Sequence, residues 1–309
     1  MRTVLSIPAG KRSAAYTERR VRAGAREVRV GARLKLLTAG KSTHVEGVLV
    51  HGGRWRRVEL PALFAWIEHP RLGTTLFDTG YSPRFLELTS RFPDRLYGLA
   101  TPVSVDETAS AARQLAARGV EPGAVRHVIL SHFHSDHVAG VRDFPAATYV
   151  YSASALDDVR QRRGLSRLLG GFLPGLLPED FAERSSPVDW TRGGPLPAEM
   201  WPFERGVDLA GDGSVVAIEL PGHTVGQLGL FVRTDHEGEF FLTADACWVS
   251  RGYQEPRMPH PLVRPIFASW QATRETLGRI HELALRRPDL RIVPSHCAEA
   301  LSRCPAGVR

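Results

Sequence analysis

Residues 129–140 (ILSHFHSDHVAG) place three histidines and an aspartate within six positions, directly after an apolar run. The four residues are His132, His134, Asp136 and His137. A buried histidine needs a partner for each ring nitrogen, so three of them together are stable only when something binds them. Neutral imidazole and carboxylate groups both suit zinc and other borderline cations. The segment therefore predicts either one tetrahedral metal site or half of a two-metal site.

The predicted elements around this cluster alternate between strands and helices, which is typical of a layered α/β fold. Short apolar segments bounded by turn residues predict strands at residues 33–37, 62–69, 74–77, 128–130, 215–220, 229–232, 240–243 and 290–293. Residues 104–107 (SVDE) have the form of a capping box and predict a helix that ends at Gly119. A further helix is predicted to begin at Ser269 and to end before Pro288.

The middle of the chain, residues 152–205, has a different character. Residues 165–177 are apolar but interrupted by glycine and proline, which excludes a long regular helix. This stretch is either a lid over a pocket or an irregular subdomain packed on the core, and we favour the lid because loops carry sites. Phe172 and Leu173 are its candidate pocket residues.

Three later residues are further candidate ligands because each lies at or just beyond the predicted end of a strand. His223 occurs in LPGHTVG, Asp245 in LTADA, and His296 follows the last predicted strand. Each of them alone is more often a hydrogen-bonded structural residue than a ligand. Together with the cluster at residues 129–140, they supply the donors that two metal ions need.

The motifs HFHSDH, PGHT and TADA, followed by a late strand and histidine, resemble those of the metallo-β-lactamase fold superfamily over about residues 33–300. LFDTG at residues 76–80 resembles the first motif of that family. The layout is most similar to that of the N-acyl-homoserine-lactone lactonases, including LLTAG at residues 36–40 and PALFAWI at residues 61–67. The resemblance implies an α/β fold, namely an αββα sandwich of two mixed β-sheets flanked by helices.

The resemblance also implies two metal positions, with the ligands His132, His134 and His223 for one and Asp136, His137 and His296 for the other. Asp245 is implied to bridge both ions, and Asp78 to support a ligand from behind. The cofactors are expected to be two Zn²⁺ or other divalent ions such as Mn, Co or Fe. The zinc β-lactamases themselves typically lack the bridging aspartate, which disfavours a β-lactam substrate.

Two metal ions that share a water lower its pKa towards neutrality, and the resulting hydroxide attacks a carbonyl. The expected catalytic residues are Asp245 and Asp136, of which Asp136 carries a proton to the leaving group. We therefore predict a metal-dependent hydrolase that opens an ester-type bond, and we favour a lactone with an apolar tail, as in quorum quenching. The alternatives are a thioesterase or carboxylesterase of small metabolites, a phosphodiesterase, a mono-iron oxidoreductase resembling persulfide dioxygenases, and a metal-independent binding protein.

One residue departs from the lactonase pattern. Those lactonases carry a tyrosine three residues after the bridging aspartate, where it donates to the substrate carbonyl, and this chain has Trp248 there. An indole N–H is also a donor, but it is bulkier and differently placed. We interpret Trp248 as a pocket-wall aromatic, with Tyr253 as a candidate replacement donor. His44, predicted to lie in a long loop after Gly40, is a further candidate pocket residue.

The net charge of +7 comes from the start of the chain, since residues 1–33 hold nine Lys/Arg and two Glu. The rest is neutral, so composition does not argue for a nucleic acid partner. We expect residues 1–32 to be a poorly ordered extension and residues 33–309 to form one hydrolase domain. No apolar run approaches the ~20 residues that span a bilayer. Three cysteines favour a reducing compartment, so we expect a cytoplasmic monomer or homodimer that acts on small molecules.

Overall fold

The computed structural model describes residues 31–309, in which the strands form two six-stranded mixed sheets. The strands are Arg33–Val45 (β1), Arg57–His69 (β2), Gly73–Phe77 (β3), Val103–Ser104 (β4), His127–Ile129 (β5), Thr148–Val150 (β6), Gly194–Pro195 (β7), Arg205–Asp208 (β8), Val215–Glu219 (β9), Leu228–Arg233 (β10), Glu239–Ala244 (β11) and Arg291–Pro294 (β12). The first sheet has the order β4-β1-β2-β3-β5-β6, and the second has the order β12-β11-β10-β9-β8-β7. Parallel pairs occur at β3–β5, β5–β6 and β11–β12.

Helices flank the two sheets. The α-helices are Glu46–Leu49 (α1), Pro83–Leu88 (α2), Arg95–Ala100 (α3), Ala111–Ala116 (α4), Ser135–Val138 (α5), Ala153–Gln161 (α6), Gly164–Leu169 (α7), Ser250–Gln254 (α8), Trp270–Arg286 (α9) and Ala298–Arg303 (α10). Short 3-10 turns lie at Pro122–Ala124, Val141–Asp143, Pro174–Leu176, Glu179–Phe181, Trp190–Arg192, Ala198–Met200 and Pro261–Ile266. None of the helices in this part of the chain combines the length and apolar character needed to cross a membrane.

Alternation along the strands explains why the sheets stack. In β2, Leu63 and Ala65 point into a core shared by both sheets, whereas Phe64 points to the outer face with the helices. In β9, Val216 belongs to the outer core that α9 covers, and Ala217 points between the sheets. Successive side chains of a strand face opposite sides, so both faces of each sheet are buried. The result is the expected αββα sandwich.

Two predicted boundaries are wrong. The first strand does not end near Leu37 but continues to Val45, because Gly40 (φ +74°) absorbs a register shift that interrupts the pairing without ending it. The capping box at residues 104–107 does not form, because Ser104 belongs to β4 and pairs with Lys41 of β1. The helix begins at Ala111 instead, where the Ser110 hydroxyl accepts a hydrogen bond from the Arg113 N–H.

Two predicted segments, residues 1–32 and residues 152–205, can be compared with the structure in part. The expectation for residues 1–30 lies outside the described residues, whereas Gly31 and Ala32 already contact the fold through Asp235 and Thr234. Residues 152–205 contain α6, α7, several 3-10 turns and β7, but no long helix. Phe172 and Leu173 are buried in the outer core beneath the first sheet, where the Phe172 ring meets the edge of Phe133.

Candidate metal centre

Seven predicted ligands meet at one edge of the sandwich, where strands of both sheets end. The structure brings them together as two groups, His132, His134, His223 and Asp245, and Asp136, His137 and His296. Within each group the potential ligand atoms lie within 4.8 Å of one another. Along the chain, the four ligands of residues 132–137 follow β5 and enter α5. His223 follows β9, Asp245 follows β11 and His296 follows β12. The long-range convergence predicted from the sequence is therefore present.

Asp245 lies between the two groups and presents one carboxylate oxygen to each. Its Oδ2 is 3.4 Å from His223 Nε2. Its Oδ1 is 3.1 Å from His296 Nε2 and 3.4 Å from His137 Nε2. His223 Nε2 is in turn 3.0 Å from His134 Nδ1. A carboxylate with its two oxygens directed to separate donor groups has the arrangement of a bridging ligand.

The donor set fits a metal pair because several buried polar atoms at the centre have no hydrogen-bond partner among the described residues. They are His132 Nε2, His137 Nε2 and Asp245 Oδ1. Buried polar atoms are rarely left unpaired, and metal ligation accounts for such a set. Imidazole nitrogens and carboxylate oxygens are the ligands of zinc and related divalent cations.

A buried network behind the cluster sets which imidazole nitrogens face the centre. The Ser131 hydroxyl donates its single proton to Asp78 Oδ2 (2.8 Å), so His132 Nδ1–H must donate to Ser131 Oγ (2.9 Å). His137 Nδ1 donates to Asp78 Oδ2 at 2.7 Å. His296 Nδ1 donates to the carbonyl of Pro61 at 2.9 Å. In neutral form, all three rings therefore direct the lone pair of Nε2 towards the centre.

Asp78, for which the resemblance implies a supporting role, lies behind the ligand loop and bonds both Ser131 and His137. It follows β3 with a positive φ of 58°, a conformation that aspartate tolerates better than most residues. Its Oδ1 accepts the backbone N–H of Ser131 (2.8 Å), so one carboxylate holds both the start of the ligand loop and the His137 ring. The next residue, Thr79, donates its N–H and its hydroxyl to the His137 carbonyl.

The two groups differ in electrostatics. Burial lowers the pKa of His134 to about 3 and that of His223 to about 4, so the first group holds neutral imidazoles. Burial also opposes the charge on His296, but Asp245 and Asp136 outweigh it and raise its pKa to about 10. The negative charges of Asp245 and Asp136 next to His296 therefore favour a cation in the place of a proton.

Backbone strain and an indole N–H orient Asp245. Ala244, the last residue of β11, has a positive φ of 48° at a point where the pairing with β12 shifts register. This turn directs the Asp245 carboxylate out of the sheet. Trp248 Nε1 donates to Asp245 Oδ2 at 3.0 Å, a contact that the sequence alone did not predict. The sequence contains no signal that separates a tryptophan bonded to Asp245 from a tryptophan that only lines the pocket.

The remaining predicted pocket residues are placed differently. His44 lies in β1, not in a loop, and is close enough to His296 and Asp136 for their charges to act on its pKa, which burial lowers. Tyr253 is buried in the core between α8 and α9, and its backbone carbonyl accepts from His281 Nδ1. The structure brings His44 towards the metal centre but places Tyr253 in a packed core.

Two residues of the first half also border the centre and were missed in the sequence. A Cβ built on Gly171, just after α7, would lie 3.0 Å from His134 Cδ2 and 3.3 Å from Tyr97 Oη. The Tyr97 phenol, on α3, therefore borders the same gap as the His134 imidazole. No local motif marks Tyr97, because its position depends on the contact between α3 and α7.

Two stacked mixed sheets with a His/Asp centre at the strand ends define a metal-binding αββα protein. A family model for the metallo-beta-lactamase superfamily matches residues 62–296, which is most of the chain. The chain therefore belongs to the metallo-β-lactamase superfamily. This fold and the His/Asp cluster imply a divalent metal.

Curated relatives match over much of the chain. N-acyl homoserine lactonase AttM of Azorhizobium caulinodans is 26% identical over 281 residues, covering 87% of this chain and 94% of the relative. AttM of Rhizobium radiobacter is 27% identical over 236 residues, covering 74% of this chain and 81% of the relative. The probable metallo-hydrolase Rv2300c of Mycobacterium tuberculosis is 29% identical over 197 residues, covering 60% of this chain and 59% of the relative.

Solved structures share the fold. The structure of an N-acyl homoserine lactone hydrolase with the product N-hexanoyl-L-homoserine at its catalytic metal center has a TM-score of 0.70 and 17% identity. It covers 89% of this chain and 97% of that chain. AidC, a dizinc quorum-quenching lactonase, has a TM-score of 0.59 and 15% identity, covering 87% of this chain and 89% of its own. At these identities the likeness concerns the fold.

Proposed function

We propose that this protein is a metal-dependent hydrolase that opens the ester bond of a lactone. The observation that carries the proposal is Asp245, whose two oxygens face the two groups of potential ligands. The lactonase names of the relatives and the product-bound neighbour support the same substrate class. The arrangement favours hydrolases of esters and related bonds over β-lactamases.

We further propose that the cofactor is a pair of Zn²⁺ ions. The first would be held by His132, His134 and His223, and the second by Asp136, His137 and His296, with Asp245 between them. When bound, such a pair lowers the pKa of a water towards neutrality and polarises a carbonyl oxygen. The dizinc description of AidC supports two ions over one.

Two side chains of this protein are suited to act on the substrate directly. Asp136 is the more exposed of the two candidate catalytic carboxylates, and its Oδ2 is held 3.2 Å from His296 Nε2. We assign it the transfer of a proton to the leaving alkoxide. The Tyr97 hydroxyl borders the His134 ring, and burial followed by the charge of Asp136 raises its pKa. The phenol therefore stays protonated and can donate a hydrogen bond to the carbonyl oxygen of the ester.

An apolar tail on the lactone suits the surface beside these residues. Four leucines of α3 and α7 are exposed there, namely Leu96, Leu99, Leu165 and Leu169. The two helices are in contact, and the backbone at Gly171 joins α7 to the rim of the metal centre. Exposed apolar side chains next to a polar centre favour a substrate with both characters. Residues 152–205 would then line the substrate site as the predicted lid.

A cytoplasmic location is part of the same proposal. Cys247, Cys297 and Cys304 are all free thiols, which supports a reducing compartment. Burial raises the pKa of the Cys247 thiol, and the sulfur of Cys297 accepts the backbone N–H of Ser250 at 3.3 Å. Both cysteines next to the ligands therefore serve as packed side chains, which leaves the hydrolytic chemistry to the metal centre.

The experiment is a hydrolysis screen of the zinc-loaded protein, with metal analysis of the protein as purified. The panel holds acyl-homoserine lactones of increasing chain length, aryl esters, thioesters and bis-aryl phosphates. We expect two zinc per chain and the highest kcat/KM with lactones that carry longer tails. A preference for thioesters or phosphodiesters would replace the lactone assignment, and one iron per chain with oxygen-dependent turnover would replace the hydrolase.

A further inference from the structure

Trp248 stands where the lactonase resemblance leads one to expect a substrate-binding tyrosine, yet its polar atom faces the protein. Its indole Nε1 donates to Asp245 Oδ2 at 3.0 Å. An indole nitrogen has one proton and no acceptor capacity, so this hydrogen bond commits the whole donor. Trp248 is half-buried, and its N–H is directed towards Asp245.

The same side chain also contacts a histidine of the centre. The Trp248 ring meets His223 edge to face, with centroids 5.8 Å apart. Phe267 meets both rings, at 4.9 Å from His223 and 5.4 Å from Trp248. The Ala268 N–H donates to the His223 carbonyl at 3.0 Å, so the chain around Phe267 holds the backbone of that histidine too. Trp248 thus touches two residues of the first group.

The hydrogen bond has a geometric consequence for Asp245. A carboxylate between two donor groups can rotate about its last bond, which would turn its oxygens away from both groups. His137 and His296 face Oδ1, whereas the indole N–H reaches Oδ2. Loss of a partner that orients a metal ligand in this way typically lowers metal affinity by about 10–100-fold.

We propose that Trp248 is a positioning residue for metal retention, which fixes the bridging orientation of Asp245 through its indole N–H. This inference rests on the proposed metal pair but not on the substrate. In this protein, holding Asp245 and donating a hydrogen bond to the substrate are tasks of two different residues. Trp248 holds the centre, and the donor to the substrate comes from elsewhere, for which Tyr97 is in place.

The test compares two substitutions that divide the indole into its parts. Trp248→Phe keeps an aromatic ring beside His223 and removes the N–H. Trp248→Gln removes the ring but places an amide N–H the same number of bonds from Cα. Trp66→Phe is the matched control, since Trp66 Nε1 also donates to a carboxylate, that of Glu68, outside the two ligand groups. Zinc-loaded proteins are mixed with excess chromophoric chelator, and the rate of zinc release is measured.

We expect zinc release to be about tenfold faster in Trp248→Phe and close to wild type in Trp248→Gln and Trp66→Phe. Unchanged release in Trp248→Phe overturns the proposal, and so does equally fast release in both Trp248 variants, because ring packing would then carry the effect. In ¹⁵N-labelled wild type, the indole N–H of Trp248 should exchange slowly with solvent, and rapid exchange would contradict the hydrogen bond without any variant. Lack of lactone hydrolysis by the wild type would reject the proposed substrate and leave these release rates interpretable.

Discussion

The two sheets contribute to the metal centre in opposite ways. The first sheet supplies four candidate ligands from one short segment, residues 132–137, directly after β5. The second sheet supplies three from separate strand ends, His223 after β9, Asp245 after β11 and His296 after β12. Local chain geometry prearranges the first set. The second set exists only when β9, β11 and β12 are assembled.

The supports of the two sets differ accordingly. The first set is held by side chains, since Asp78 and Ser131 bond the rings of His132 and His137. The second set depends more on backbone, with Gly222 at φ +136° before His223 and Ala244 at φ +48° before Asp245. A positive φ is costly for Ala244 and persists where the surrounding fold imposes it, whereas at Gly222 it is open to glycine and strained for any L residue. The position of the second set should therefore be sensitive to backbone substitution at Gly222.

The largest effect is expected from removing a ligand of the first set. We predict that His134→Ala loses metal from the first group and reduces lactone hydrolysis to background, because His134 Nδ1 faces His223 Nε2 across that group. The fold should remain, because no strand is altered. Metal analysis, circular dichroism and the lactone assay check this. Full activity in a metal-free His134→Ala protein would overturn the metal assignment.

The first half is also expected to supply the substrate donor. We predict that Tyr97→Phe lowers kcat for lactones by about 10²-fold, as for the loss of one oxyanion donor, while bound zinc is unchanged. Tyr151→Phe is the control, because its hydroxyl bonds Ser185 within the same half and lies outside the ligand groups. Steady-state kinetics and metal analysis check the prediction. Equal kcat in Tyr97→Phe and wild type would remove Tyr97 from the reaction.

The second set of ligands should be sensitive to the glycine that precedes His223. A Cβ on Gly222 would lie 2.4 Å from the backbone nitrogen of Thr273, in a conformation that disfavours L residues. We predict that Gly222→Ala lowers the free energy of unfolding by about 3 kcal/mol. Gly119→Ala is the control, since Gly119 also has a positive φ (+83°) but no atom within 4 Å of an added Cβ. It should cost about 1 kcal/mol in denaturant unfolding.

Equal losses in the two variants would show that conformation alone, and not the contact with α9, makes Gly222 necessary. A loss in Gly222→Ala smaller than that of the control would contradict the dependence of the second set on its backbone.

The same contrast explains what could be predicted from the sequence. The cluster at residues 132–137 was evident because its chelating side chains are close along the chain. Asp245 and His296 were candidates because each follows a predicted strand, and the resemblance of their motifs implied that they share one centre with the cluster. The sheets do bring them together. Ser104 was misassigned because a helix-cap pattern is local, whereas its pairing with Lys41 in β1 is not. The distant ligands could be predicted because each lies in a motif of its own, whereas no motif marks the pairing of Ser104 with β1.

Trp248 is a different kind of failure, because its partner Asp245 is only three residues away and the sequence does not show where the indole N–H points. It also gives the smallest predicted effect on stability. Trp248→Tyr keeps an aromatic ring beside Phe267, so we expect its free energy of unfolding to change by less than about 1 kcal/mol. The phenol has a different reach and loses the bond that the indole makes to Asp245 Oδ2. The ratio of kcat/KM for lactones to that for thioesters should then change by about tenfold.

Kinetics across the two substrate classes, with thermal unfolding alongside, check this expectation. An unchanged ratio would dismiss Trp248 as a determinant of selectivity and confine it to holding Asp245. A changed ratio would mean that the second half, besides supplying ligands, shapes the pocket that the Tyr97 side of the first half completes. Both halves would then determine which substrate is accepted. Trp248 would affect this choice from the second half, where it contacts Asp245 and His223.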